Sequence, residues 1–149
     1  MTTRRATPAD LHAIITLERE SPTAAHWSQA QYDAILNAPH ATERLILVCE
    51  NESSLAGFVV AHTATEEWEL ENIVVSESNR RRGLGRKLVT ALLDAARDQR
   101  ARAIFLEVRE SNASARALYL SCRFKETGRR PNYYDCPTED AILYTLTVA

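Results

Sequence analysis

The sequence is poor in glycine and cysteine, and both scarcities narrow the kind of protein it encodes. Its 149 residues include four glycines and three cysteines. Cys49, Cys122 and Cys136 form no Cys-x-x-Cys pair, so the sequence indicates neither a disulfide framework nor a zinc knuckle. The four histidines, at positions 12, 26, 40 and 62, lack ligand spacing with carboxylates or cysteines. We therefore expect no metal.

Long apolar runs and an excess of basic charge are also missing. Runs such as Leu45–Cys49 are too short to span a bilayer, and the first residues, MTTRRATPADL, contain no apolar signal core. The formal net charge of −2 is unlike that of a general nucleic-acid-binding protein. We expect a cytoplasmic protein with neither a membrane nor a nucleic acid as partner. The length and the 45% hydrophobic content predict one domain over residues 1–149.

Two of the four glycines lie in the most informative segment, between a β-branched run and a long amphipathic stretch. A helix start has unpaired backbone N–H groups and the positive end of the helix dipole, so it favours phosphate. Glycines without a Cβ let a pyrophosphate approach that backbone. The segment predicts an anion-binding loop made of Arg80, Arg81, Arg82, Gly83, Leu84, Gly85 and Arg86.

Two common phosphate-binding patterns do not match this loop. The dinucleotide fingerprint requires a third glycine where this chain has Leu88. The Walker A motif ends in Gly-Lys-Ser/Thr, whereas Gly85 is followed by Arg86 and Lys87. The remaining interpretations are a phosphate-bearing cofactor of another kind and an exposed basic turn that caps a helix.

Hydrophobic periodicity predicts alternating strands and helices. Thr7 and Pro8 predict a helix start after a strand at residues 2–6, and Ser28 predicts the cap of a second helix. Helices are also predicted at about 84–99 and at Asn112–Cys122, and a turn at Asn51–Ser54. The expected fold is α/β, with one βαβ unit in a mixed sheet. The other predicted strands are Arg44–Glu50, Leu55–Ala64, Glu67–Val75, Ala103–Val108, Phe124–Gly128 and Ala141–Val148.

The loop and the strand before it, Asn72-Ile73-Val74-Val75, resemble the acetyl-CoA-binding signature of the GNAT acetyltransferases. Other segments resemble the bacterial ribosomal-protein-alanine N-acetyltransferase branch of that family, the RimI type. Their spacings are mutually consistent from the first predicted helix to the last predicted strand. These segments are His26-Trp27-Ser28, Leu106-Glu107-Val108-Arg109-x-Ser111-Asn112, Ala117-Leu118-Tyr119, Arg129-Arg130-Pro131-Asn132-Tyr133-Tyr134 and Glu139-Asp140-Ala141.

The resemblance implies a GNAT-type α/β fold, with a mixed, mostly antiparallel sheet of about seven strands, about four flanking helices and a βαβ acetyl-CoA-binding core. It implies that loop amides hold the pyrophosphate of acetyl-CoA and that Asn112 helps to fix the coenzyme. The backbone of Ile73 and Val75 would pair with the pantetheine amides. The implied reaction is direct acetyl transfer to a protein N-terminal α-amine, that of alanine on a small-subunit ribosomal protein.

Glu107 and Tyr119 are the candidate base and acid. An α-amine with a pKa of about 8 must lose a proton before it attacks a thioester, either to Glu107 directly or through water. A tyrosine with an ordinary pKa of about 10 stays protonated and can give its proton to the departing thiolate. The alternative for Glu107 is a solvated or salt-bridged strand residue, and the residues alone favour Tyr119 as a core residue. The resemblance favours catalysis.

Acceptor binding is expected from acidic and aromatic side chains. By strand alternation, Glu69 and Glu71 share a face with Ile73 and Val75 and place acidic groups beside an incoming amine. Tyr133 and Tyr134, expected in a loop between the last two strands, resemble the lid of the family, although an ordinary aromatic loop is the alternative. Trp27 either lines the opposite wall or merely packs.

Two positions depart from the family pattern. Arg123 stands where a glycine usually follows the tyrosine-bearing helix, so it must adopt a positive φ or change the cap. Arg80 stands where many members have glutamine, and its charge should help phosphate binding. The functional alternatives are a GNAT enzyme acting on lysine side chains or small amines, a non-catalytic acyl-CoA sensor, and RNA binding through the arginine cluster.

Overall fold

The computed structural model describes residues 1–52 and 54–148, and within them seven strands form one sheet. The strands are β1 (Thr2–Arg5), β2 (Arg44–Glu50), β3 (Leu55–His62), β4 (Glu67–Val75), β5 (Ala103–Arg109), β6 (Lys125–Tyr134) and β7 (Glu139–Thr147). The α-helices are α1 (Leu11–Glu20), α2 (Gln29–Asn37), α3 (Pro39–Thr42), α4 (Leu84–Asp98) and α5 (Ala113–Ser121). Short 3₁₀ turns at Pro8–Asp10 and Glu77–Asn79 precede α1 and α4.

The sheet has the order β1-β2-β3-β4-β5-β7-β6, and β4 and β5 are its parallel pair, joined by α4. The other neighbours pair antiparallel. The predicted mixed, mostly antiparallel sheet with one βαβ unit is therefore confirmed. The short helix α3 was not predicted. The predicted turn at Asn51–Ser54 includes Ser53, which lies outside the described residues.

Each face of the sheet buries its own apolar cluster. α4 and α5 cover one face, where Leu88, Leu92 and Tyr119 pack against strand residues such as Ile104 and Leu106. α1 and α2 cover the other face, where Ile14, Tyr32 and Phe58 belong to the second cluster. We call these the α4 face and the α1 face. The alternation in β5 confirms one expectation, since Ile104, Leu106 and Val108 pack on the α4 face and Glu107 projects to the other.

A bulge in β4 corrects the expected alternation along that strand. Leu70 pairs with Ala61 and Asn72 pairs with Val60, so Glu71 is an extra residue in the ladder. The phase of the strand changes there, because Leu70 packs on the α4 face whereas Val74 packs on the α1 face. The prediction that Glu69 and Glu71 share a face with Ile73 and Val75 is therefore wrong. Ile73 and Val75 pack on the α4 face. Glu71 instead pairs with Arg44, which lies over the Trp27 ring on the α1 face.

Candidate active site

The parallel strands β4 and β5 separate halfway along their length. Their ladder consists of Glu67, Trp68 and Glu69 opposite Ala103, Ile104 and Phe105. Beyond it, β4 continues to Val75 on the edge of β3, and β5 continues to Arg109 on the edge of β7. The facing edges of both strands therefore have no strand partner among residues 1–52 and 54–148. Backbone amides left open in this way suit an extended ligand that itself carries amides.

The loop at the start of α4 has the expected backbone shape but uses its two glycines differently. Gly83, the N-cap residue, has φ +74°, and Arg81 has φ +63°. A Cβ on Gly83 would meet no atom within 4 Å, so the loop is open at this point. A Cβ on Gly85 would lie 2.9 Å from Leu118 Cδ2. Gly85 therefore lets α5 pack closely against α4, and Gly83 supplies the turn.

The side chains of this loop separate into exposed and buried groups. Arg80, Arg81, Arg82 and Arg86 are exposed, and Arg86 donates to the Ser121 carbonyl at the end of α5. Leu84 is 4% exposed, so its side chain belongs to the core and only its backbone faces the loop. The helix start combines open N–H groups with local positive charge, the arrangement that binds phosphate.

Three carboxylates project near the gap, and two of them have arginine partners. Glu107 Oε1 lies 3.0 Å from Arg130 Nε, and Glu71 Oε1 lies 2.8 Å from Arg44 Nε. Glu69 forms no ion pair within the described part of the chain. Burial raises the pKa of Glu69, and the nearby charges of Glu71 and Glu107 raise it further. The carboxylates are thus close enough to repel one another, which favours an incoming cation.

Tyr119 approaches from the opposite face of the sheet. Its side chain is 4% exposed and packs against Phe124 and Tyr144, with ring centroids 5.6 and 6.2 Å away. Burial raises the pKa of Tyr119, so the phenol is protonated at neutral pH. Its hydroxyl forms no hydrogen bond with residues 1–52 and 54–148. In that part of the chain, every fully buried side-chain N or O has a hydrogen-bond partner, so the Tyr119 oxygen is not fully buried. The hydroxyl therefore retains access to solvent.

The aromatic pair Tyr133-Tyr134 ends strand β6 and lies beside Glu107. The expected loop location is wrong, because β6 reaches Tyr134 instead of ending at Gly128. The two rings meet edge to face at 5.1 Å, and the Arg109 guanidinium lies 4.4 Å from the Tyr134 ring centroid. Burial raises the pKa of Tyr134, and the nearby negative charge of Glu107 raises it further. Tyr134 also lies within electrostatic range of Tyr119.

Trp27 and Asn112 lie at the starts of two helices, Trp27 directly before the N-cap residue of α2 and Asn112 at the N-cap of α5. Trp27 is half-buried beside Tyr32, and the Arg44 guanidinium lies 5.5 Å from its ring centroid. Because Arg44 also binds Glu71, Trp27 is connected to the acidic side chains of β4. Asn112 caps α5 by accepting from Ala115 N at 3.2 Å through Oδ1. Its NH₂ group has no partner within the described residues.

Sequence reasoning missed the arginines that pair with the carboxylates. Arg130 lies on β6, 23 positions after Glu107 by residue number, and Arg44 lies on β2. Only the order of strands brings these cations to the gap. A usable signal was the Arg129-Arg130 pair directly before the aromatic segment, which the resemblance already included.

Arg123 adopts the left-handed conformation that a glycine would occupy, with φ +72°. Phe124 N donates to Tyr119 O and Arg123 N donates to Leu120 O, each at 3.0 Å, which closes a Schellman motif at the end of α5. The left-handed conformation costs a residue with a Cβ about 1–2 kcal/mol. We expect Arg123→Gly to stabilise the protein by about 1 kcal/mol, measured by urea denaturation, and to leave activity unchanged. Arg123→Ala serves as the control, and equal stability of the two variants would contradict this explanation.

The separated parallel strands, the loop at the start of α4, and the carboxylate and phenol on opposite faces of the sheet fit an acyl-transfer enzyme. The chain belongs to the acetyltransferase (GNAT) family, whose model matches residues 11–124. The predicted family, fold and enzyme class are thereby confirmed. Within the described part of the chain, no helix has the length and apolarity to cross a membrane, and no three His, Cys, Asp or Glu side chains are grouped to hold a metal.

Relatives share both sequence and structure with this chain. It is 34% identical to the [ribosomal protein bS18]-alanine N-acetyltransferase of Escherichia coli strain K12, covering 94% of this chain and 93% of the relative. The crystal structure of the Escherichia coli ribosomal-protein-S18-alanine N-acetyltransferase matches 99% of this chain and 94% of that one, with TM-score 0.84 and 31% identity. The chain is also 34% identical to the uncharacterized protein ML0378 of Mycobacterium leprae. That match covers 92% of this chain but 38% of the length of the relative.

Proposed function

We propose that this protein transfers the acetyl group of acetyl-CoA to the α-amine of a protein N-terminus, that of alanine on a small-subunit ribosomal protein. The observation that carries the proposal is the gap between β4 and β5, which has Glu107 on one face and Tyr119 on the other. The relatives named for bS18-alanine acetylation support the choice of acceptor. The proposed location is the cytoplasm, which suits three free cysteines.

The residues around the gap fit acetyl-CoA. The backbone of Ile73 and Val75 lies on the part of β4 that β5 does not pair, so it is open to the amides of the pantetheine arm. Main-chain N–H groups from Arg81 to Arg86 hold the pyrophosphate, with exposed arginines around them. The NH₂ group of Asn112 gives a further donor. When bound, the coenzyme supplies an acetyl thioester, which an amine attacks.

The acidic side chains receive the acceptor amine and remove its proton. The α-ammonium group is attracted to the α1 face by Glu69, which forms no ion pair within the described residues and lies near the charges of Glu71 and Glu107. Glu107 takes one proton from the ammonium nitrogen, directly or through water, which frees the lone pair for attack. Attack of the nitrogen on the thioester carbonyl would form the C–N bond and break the C–S bond, Tyr119 would give its hydroxyl proton to the departing sulfur, and the proton that the new amide nitrogen loses would return to Tyr119 through water. Acid and base thus act from opposite faces of the sheet.

Aromatic side chains form the walls of the proposed acceptor site. Trp27 lies on the α2 side and Tyr133 and Tyr134 lie on the β6 side. Tyr133 is 51% exposed, which is unusual for a large aromatic side chain and is explained if a peptide covers it. Tyr134 is held in place by Arg109, which also binds Glu139.

A panel of acceptors tests the proposal. We expect release of coenzyme A from acetyl-CoA with peptides that begin with alanine, at a kcat/KM at least about ten times that for an N-blocked lysine peptide or a small amine. A lysine amine with a pKa of about 10.4 is harder to deprotonate than an α-amine with a pKa of about 8. Mass spectrometry locates the acetyl group. Transfer to lysine or small amines alone, or coenzyme binding without transfer to any acceptor, would contradict the proposal.

A further inference from the structure

Glu18 is a buried carboxylate that forms no ion pair with residues 1–52 and 54–148. It lies on α1 and is 3% exposed. Its Oε1 atom accepts hydrogen bonds from Trp27 N at 2.7 Å and from the Tyr32 hydroxyl at 2.8 Å, and Asn72 Nδ2 lies 3.4 Å away. A buried carboxylate is costly unless hydrogen bonds satisfy it, and at Glu18 three donors do so.

Asn72 extends this network to the strand that borders the gap. It lies on β4, directly after the bulged residue Glu71, and is 5% exposed. Its Nδ2 donates to the Tyr32 hydroxyl at 2.8 Å, and its Oδ1 accepts from Ala25 N at 3.2 Å. Glu18, Tyr32 and Asn72 therefore join α1, α2 and β4 through one hydrogen-bonded cluster.

The cluster holds two amides that flank a strained residue. His26 has φ +59°, a left-handed conformation that a residue with a Cβ rarely adopts. The amide before it, Ala25 N, is bound by Asn72, and the amide after it, Trp27 N, is bound by Glu18. Backbone strain persists only where the surrounding structure enforces it. The two buried side chains bind the backbone on both sides of His26.

The strained segment places Trp27 at the proposed acceptor site. The Trp27 ring lies between Tyr32, 5.6 Å away, and the guanidinium of Arg44, 5.5 Å away. Arg44 in turn binds Glu71 on the bulge of β4. The wall and the acidic side chains are thus fixed relative to each other from two sides, by Arg44 at the surface and by the Glu18 cluster beneath.

We infer that Glu18 and Asn72 are positioning residues for the acceptor: they hold residues 25–27 in a strained conformation that orients Trp27 before the peptide arrives. A wall that is already ordered avoids the entropy loss of ordering on binding. We expect the effect on the acceptor and not on acetyl-CoA, because the cluster holds residues 25–27 through its side chains, whereas the coenzyme is proposed to pair with the backbone of β4. This inference rests on the proposed acceptor class, an extended peptide N-terminus.

Glu18→Ala is the principal test, with Glu18→Gln as the conservative variant. Glu18→Ala removes the acceptor of the Trp27 and Tyr32 hydrogen bonds, and we expect a rise of about tenfold in KM for an alanine peptide, with the Kd for acetyl-CoA within twofold of wild type. Glu18→Gln keeps a side-chain oxygen and should restore KM to within about threefold.

Asp10→Ala is the matched control for a purely structural effect. Asp10 is also a buried carboxylate, 8% exposed, and it accepts from Arg4 at 2.8 and 2.9 Å. It binds to the edge strand β1, three positions from β4 in the sheet order. We expect Asp10→Ala to lower the melting temperature as Glu18→Ala does, without a change in KM for the peptide. An equal rise of KM in both variants would overturn the inference, and so would an unchanged KM in Glu18→Ala.

Tryptophan fluorescence gives a readout that does not depend on the acceptor. Trp68 is 3% exposed in the core of the α4 face, so a red shift of the emission in Glu18→Ala reports the release of Trp27. An unshifted spectrum would overturn the inference. If Glu18→Ala does not fold, Asn72→Ala carries the same expectations. A red shift without acetylation of any peptide by the wild type would reject the proposed function while the positioning of Trp27 stands.

Discussion

Glu107→Gln is expected to lower kcat for an alanine peptide by about 100-fold or more, with little change in acetyl-CoA affinity. Glutamine has the shape of glutamate but cannot accept a proton at neutral pH, so the α-ammonium stays charged and its nitrogen has no free lone pair. Glu107 projects from β5 away from the α4 face. The pantetheine arm is proposed to pair with the backbone of β4, so the substitution on β5 should leave coenzyme affinity nearly unchanged. Steady-state kinetics and calorimetry of acetyl-CoA binding measure the two quantities.

The pH dependence of this variant separates proton removal from simple binding. Since an α-amine has a pKa of about 8, a growing fraction loses its proton without help as pH rises, and the deficit of Glu107→Gln should shrink above that value. Glu110→Gln is the control, because Glu110 is an exposed carboxylate on the same segment that pairs with Arg129 at 2.6 Å. Equal activity of Glu107→Gln and wild type would assign proton removal to Glu69 or to water.

The ion pair of Glu107 with Arg130 also bears on this result. Arg130 Nε lies 3.0 Å from the carboxylate, and the Arg130 guanidinium lies 5.4 Å from the Tyr133 ring centroid. Arg130 is thus a cation that contacts both Glu107 and the aromatic wall. An incoming α-ammonium competes with it for the same carboxylate. Glu107→Gln weakens the contact of residue 107 with Arg130 and also its contact with the α-ammonium. KM alone therefore does not report the loss of the base, and kcat is the quantity to compare.

Local chemistry made the loop and the strand β5 predictable from sequence. Gly83 marks a left-handed turn, and the apolar positions of β5 alternate with Glu107 in the way that a half-buried strand requires. The faces of β4 were not predictable, because one extra residue at Glu71 shifts the ladder by one position. Nothing in the local pattern distinguishes a bulge there from regular alternation.

The Glu18 cluster illustrates why sequence reasoning did not reach the remaining residues. Glu18 and Asn72 are 54 positions apart and meet only because α1 packs across β4. Isolated polar residues in amphipathic segments are usually exposed, so the pattern favours solvent for both. The length of β6 was underestimated for a related reason. Its residues are mostly exposed, so the hairpin to β7 is held by ladder hydrogen bonds and ion pairs instead of an apolar stripe.

Tyr119→Phe is expected to lower kcat by about 100-fold while stability stays within about 0.5 kcal/mol of wild type. The two parts of this expectation have one structural origin. The Tyr119 hydroxyl forms no hydrogen bond with residues 1–52 and 54–148, and the ring alone makes the contacts with Phe124 and Tyr144. Removing the oxygen therefore costs the fold little. If Tyr119 were only a core residue, the variant would be fully active.

Tyr144→Phe is the matched control for Tyr119→Phe. Tyr144 is 1% exposed and neighbours Tyr119, but its hydroxyl accepts from Arg116 Nε at 2.9 Å and so has a structural partner. We expect Tyr144→Phe to lower stability by about 1 kcal/mol and to leave kcat near wild type, the reverse of the pattern for Tyr119→Phe. Urea denaturation and single-turnover kinetics measure both quantities. A Tyr119→Phe enzyme with wild-type single-turnover rate would show that the departing thiolate takes its proton from solvent.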